Sequence, residues 1–113
     1  MKQRHPEPAV LDEIVRRIVE VADPQEIILF GSAARGTMGP HSDVDLLVVK
    51  ANTHRRRLAQ EIYRHIIGVG HAVDVVVVTP EDVEQYRDAP GLVIEPALRE
   101  GKQIYAAGAL PTK

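Results

Sequence analysis

Gly31 and Ser32 close an apolar run, and after ten intervening residues the chain reads Asp43-Val44-Asp45 at the head of another. Alternate residues of a strand face the same side, so Asp43 and Asp45 would project together with Cα atoms roughly 6 to 7 Å apart. Two carboxylates so placed suit a shared site for divalent cations. The Gly-Ser pair is followed by Ala33-Ala34-Arg35-Gly36, which has the composition of a helical turn. Free backbone N–H groups at such a turn attract phosphate oxygens. Ser32 can add a hydroxyl donor, and Arg35 a planar charged fork that matches phosphate geometry. A phosphate cradle beside a carboxylate pair is a site for phosphoryl or nucleotidyl transfer.

Asp74 sharpens this reading, because it interrupts Ala72-Val73-Asp74-Val75-Val76-Val77-Val78, the most strongly strand-forming segment of the chain. An unpaired ionised carboxylate in apolar surroundings is costly. It persists where a cation, a hydrogen-bond donor or solvent at the strand's end receives it. If this third strand lies beside the second in register, Asp74 joins Asp43 and Asp45. Three converging carboxylates could hold the two cations, about 3.5 to 4 Å apart, that stabilise attacking and leaving oxygens in an in-line displacement on phosphorus.

Several elements must position these side chains. Val10, Leu11, Ile14, Ile18 and Val21 recur at helical spacing with charged residues opposite, which predicts an amphipathic helix ending near Asp23-Pro24. A strand from Glu26 to Phe30 follows, then a motif loop from Gly31 to Ser42 and a second strand from about Asp43 to Val49. Asn52 or Thr53 is placed to cap the next helix, which carries Leu58, Ile62, Tyr63, Ile66 and Ile67 until Gly68 and Gly70 stop it. After the third strand, Thr79-Pro80-Glu81-Asp82 reads as an N-cap, a proline at the first helical position and an acidic first turn. Leu92 to Arg99 suits a helix whose first half Pro96 puts in question. Gln103-Ile104-Tyr105 suits a short closing strand, and the tail from Ala107 is expected to be mobile.

The constellation resembles the minimal nucleotidyltransferases of the DNA polymerase β superfamily: Gly31 and Ser32, ten residues, Asp43 and Asp45, and a later strand Asp74. The local form G-S-x-A-R-G matches too, and the likeness covers roughly Ala9 to Tyr105. It implies an α/β domain with a small mixed sheet, helices mainly on one face and the carboxylates lining the open face. It also implies ATP bound with Mg²⁺, two ions during catalysis, an acceptor hydroxyl attacking the α-phosphoryl, and pyrophosphate leaving. On that resemblance Asp43 and Asp45 ligate metal, Asp74 completes the ligands and helps deprotonate the acceptor, and Gly31, Ser32 and Arg35 attend the phosphates. Many short members pair as antitoxins with an all-helical HEPN-type toxin and transfer AMP to its tyrosine hydroxyl.

Length and composition set the bounds. With 113 residues, the chain is expected to be one domain, its core at about residues 9–105. The net charge of −2 argues against extended nucleic-acid binding, and the absence of cysteine excludes a disulfide framework and a thiolate zinc site. No apolar stretch approaches a membrane span, so the cytoplasm is the expected compartment. Plainer readings stand beside the chemical ones. Asp43, Asp45 and Asp74 could be solvated strand residues, Ser32 a helix cap, Arg35 a surface ion-pair partner, and the tyrosines packing residues. His41 could touch nucleotide, and the basic run His54-Arg55-Arg56-Arg57 could contact a partner or RNA. A binding module that neutralises its partner by covering it is the functional alternative, and transfer to a small molecule a poorer one.

Overall fold

The computed structural model describes residues 6–38, 43–88 and 93–108. In chain order the elements are α1 (Pro8–Ala22), β1 (Glu26–Phe30), α2 (Ser32–Arg35), β2 (Val44–Val49), α3 (Arg55–Ile66), β3 (Val73–Val78), α4 (Pro80–Tyr86), α5 (Ile94–Glu100) and β4 (Lys102–Ala106). The four strands make one mixed sheet in the order β3-β2-β1-β4. β1 runs antiparallel to both β2 and β4, whereas β2 and β3 are parallel. A parallel pair needs a crossover connection, and α3 supplies it.

Strand alternation sorts the core into two layers. Val44, Leu46 and Val48 of β2 face α1 and α3, which contribute Ile14, Ile18, Leu58, Ile62 and Ile66. Leu47 and Val49 face the other way, with Ile28, Val78, and Ile94 and Ala97 of α5. The two long helices therefore share one face, as the resemblance implied. The other face is less open than expected, because the seven-residue helices α4 and α5 pack over part of it. Asp45 and Asp74 belong to this second face by alternation, beside Leu47 and Val76. Among the described residues, no helix is long and apolar enough to cross a membrane.

Helix ends follow local chemistry, with one correction. Thr79 Oγ1 accepts from Asp82 N at 3.1 Å while Asp82 Oδ2 accepts from Thr79 N at 3.0 Å, a reciprocal box built on the N-cap and acidic first turn that the sequence predicts. The cap of α3 is neither Asn52 nor Thr53 but His54, whose Nδ1 accepts from Arg57 N at 3.2 Å. Asn52 sits at a φ of 55°, in the left-handed region, outside the extended geometry an N-cap needs. Pro96 falls in the first turn of α5, where its missing N–H would have had no intrahelical acceptor, so the helix runs through it. At the other end, Ala107 N donates to Gln25 O at 2.9 Å, which ties down the start of the expected tail. Residues 109–113 lie outside the described residues, as do His41 and the rest of 39–42 in the motif loop.

Candidate active site

The parallel register of β2 and β3 sets Asp45 directly opposite Asp74. Neighbouring strands lie about 4.8 Å apart, so the two carboxylates stand abreast on one side of the sheet. Asp43 is exposed and immediately precedes β2, two residues before Asp45. Asp45 is half-buried, and its carboxyl is held above the ordinary carboxylate range, first by burial and then by the charges of Asp74 and Asp43, with Arg35 opposing them. The three carboxylates thus share one electrostatic field. That repulsion is the condition a divalent cation relieves.

β1 delivers the chain to this place, since Phe30 pairs with Asp45 and Gly31 follows at a φ of 72° and a ψ of −153°. A β-carbon built on Gly31 would run into Asp45 Oδ2, so glycine is what lets this turn lie against the carboxylate. Gly31 caps α2 and Ser32 is its first residue, so the reading of Ser32 as the cap does not hold. Ala34 N and Arg35 N both donate to Gly31 O at 3.1 Å, which closes the turn on itself. Fewer of its N–H groups are left to point at a phosphate than the composition suggested. Arg35 is exposed, and its guanidinium engages Glu100 Oε1 of α5 at 3.2 Å.

The sequence offers Tyr63 as a packing residue, and the structure gives it more to do. Its hydroxyl accepts from Val75 N at 2.7 Å and lies 3.1 Å from Asp74 Oδ1, to which it can donate. β3 is an edge strand, and the phenol of α3 covers an N–H that would otherwise face outward. Burial raises the Tyr63 phenol above its usual range, Val75 N–H pulls it down, and Asp74 raises it further. Helical phase places Tyr63 one step past the buried Ile62, but only the strand order reveals that this direction meets the edge beside Asp74. On the nucleotidyl transfer that the sequence resemblance implies, Tyr63→Phe is expected to lower kcat about three- to tenfold with KM for the nucleotide within about twofold, the worth of one hydrogen bond of about 1 kcal/mol. Steady-state kinetics check this; an unchanged kcat would reduce the contact to edge covering.

Among the described residues, no three His, Cys, Asp or Glu side chains are gathered closely enough to hold a metal ion by themselves. The donor set still fits a hard cation. Mg²⁺ is ordinarily held by one or two carboxylates together with waters and substrate phosphates rather than by an all-protein cage. Asp45 and Asp74 side by side, with Asp43 nearby, offer that partial set of oxygens.

A protein-family model described as nucleotidyltransferase domain matches residues 10–90. A Methanocaldococcus jannaschii protein with the provisional name protein adenylyltransferase is 35% identical over 82 residues, which are 66% of this chain and 56% of that protein. The chain thus spans little more than half the length of this relative. Among crystal structures, a mutant of the toxin-antitoxin MntA-HpeT superposes with a TM-score of 0.57 at 27% identity, covering 87% of this chain and 73% of that one. A toxin-antitoxin crystallised with AMP-PNP superposes with a TM-score of 0.54 at 25% identity, covering 86% and 74%.

Proposed function

The chain belongs to the nucleotidyltransferase domain family, and from that premise we propose that it transfers AMP from ATP to a tyrosine hydroxyl of a partner, a HEPN-type toxin, and so acts as an antitoxin. The observation that carries this reading is the pair Asp45 and Asp74, set abreast by strand register and flanked by Gly31. The relative's name and the toxin-antitoxin likenesses, one with an ATP analogue, support the acceptor class and the nucleotide.

Each side chain has a task in this reaction. Asp43 and Asp45, with Asp74 completing the set, would hold the Mg²⁺ that accompanies a bound triphosphate. When bound, the metal neutralises charge on the phosphate oxygens in the displacement. Ser32 donates its hydroxyl to a terminal phosphate oxygen, and Arg35 exchanges Glu100 for phosphate. The acceptor oxygen attacks the α-phosphorus, the α–β anhydride bond breaks, pyrophosphate leaves, and Asp74 takes the acceptor's proton. Tyr63 keeps the Asp74 carboxylate aimed while this happens.

The test is transfer from ATP labelled on the α-phosphate, with Mg²⁺ and the co-purified partner. Label is expected on the partner's band, absent when the γ-phosphate carries the tag, lost with EDTA and restored by added Mg²⁺. Absence of label from protein, RNA and small molecules, with the partner still bound, would replace this reading with a non-catalytic binding module.

A further inference from the structure

Among the nine arginines of the described residues, six engage a carboxylate: Arg16 and Arg17 with Glu13, Arg35 with Glu100, Arg55 with Asp82, Arg87 with Glu84 and Arg99 with Glu95. Arg56, Arg57 and Arg64 have no acidic partner among the described residues, and all three stand on α3. Their spacing puts them on one stripe. Arg56, Gln60 and Arg64 are successive helical turns, Arg57 lies seven residues before Arg64, and Leu58, Ile62 and Ile66 fill the opposite, buried face. Two of the three occupy the first turn of the helix, where the peptide dipole disfavours positive charge. The chain carries 16 acidic residues against 14 basic ones; Glu61 stands on the same helix between Arg57 and Arg64, yet it forms no ion pair with either among the described residues.

Apolar surface continues the stripe toward the candidate active site. Ile67 is 75% exposed and Tyr63 37% exposed, and both line a cavity of about 230 Å³ with Ile66, Gly68, His71 and Val73. Through the Tyr63 hydroxyl this surface reaches Asp74.

We propose that the outer face of α3 is the docking surface for the acceptor protein, and that its occupant is an acidic segment of that protein. Carboxylates of the segment meet Arg56, Arg57 and Arg64, an apolar side chain enters the cavity beside Ile67, and the acceptor hydroxyl is left near Asp74. Arginine and tyrosine around an apolar centre are the usual composition of a protein interface. A nucleic acid needs a wider basic field than one helical stripe on a net acidic chain. The acceptor role rests on the function proposed above, whereas the binding surface does not.

A fluorescent random copolymer of glutamate and tyrosine serves as the probe, its binding read by anisotropy at low and high salt beside a labelled single-stranded RNA. The copolymer is expected to bind wild type and Asp45→Asn alike, more weakly in high salt. In the triple variant Arg56→Ala, Arg57→Ala, Arg64→Ala its binding falls about tenfold or more. Ile67→Glu, at one exposed position, weakens it independently. Equal binding by the triple variant and wild type, no binding by wild type, or a tighter hold on the RNA would each overturn the surface. A transfer arm with labelled ATP separates the two claims. Copolymer bound while the co-purified partner is never labelled sinks the transferase reading and leaves the surface standing; labelling of that partner untouched by the triple variant does the reverse.

Discussion

Replacing Asp45 with Asn is expected to cut AMP transfer by on the order of 10³-fold while leaving the fold more stable, not less. The two effects share one cause. Asp45 is half-buried and stands opposite Asp74 with Asp43 nearby, and its carboxyl is held above the usual range by burial and by both neighbours. A raised carboxyl binds its proton more tightly in the folded than in the unfolded chain. Its contribution to stability is therefore fully present below the unfolded pKa and is lost as pH rises through the folded one. At neutral pH the ionised group works against folding, and an amide of the same shape removes that opposition along with the charge the reaction needs. Melting followed by circular dichroism at about pH 4 and about pH 7.5 tests the sign. The gain of Asp45→Asn over wild type should be larger at the higher pH. A variant that melts lower at neutral pH would mean that Arg35, which opposes the carboxylates in this field, outweighs them.

How much of this was legible in the chain depends on the range of the interaction involved. Contacts between near neighbours could be read directly. The N-cap at Thr79 with its acidic first turn, the end of α1 near Asp23 and the strand alternation that separates Asp45 from Leu46 each depend on a few adjacent residues. The pairing of Asp45 with Asp74 could be stated only as a condition, since a sequence does not say which strands lie side by side. Three other features needed the same missing knowledge. Tyr63 meets Asp74 only because β3 is an edge strand; Arg35 finds Glu100 only because α5 closes on that side, 65 residues later. The partial covering of the second face by α4 and α5 is likewise a matter of packing between distant segments. His54 as a cap was missed for a different reason, because Asn52 and Thr53 are better capping types and only the left-handed turn at Asn52 moves the cap along the chain.

Gly31→Ala is the second large effect, and it should reach activity and stability through separable routes. The glycine's φ of 72° and ψ of −153° lie in a region that only glycine occupies readily, so any side chain there costs about 1 to 3 kcal/mol in the backbone alone. The added carbon would also collide with Asp45 Oδ2 and crowd Asp45 Cγ at 3.3 Å. Because Asp45 is short and its strand is paired on both sides, the carboxylate must swing away from Asp74 to make room. A displacement of about 1 Å in a catalytic group costs on the order of 10²-fold in rate. The variant is therefore expected to melt several degrees lower and to transfer AMP about a hundredfold more slowly. Repeating the substitution in an Asp45→Ala background separates the causes by a double-mutant cycle on stability. With the carboxylate gone, the collision disappears and only the backbone cost remains, so Gly31→Ala should destabilise that background less than it does wild type. Equal losses in both backgrounds would assign the whole effect to the backbone and remove Gly31 from the residues that place Asp45.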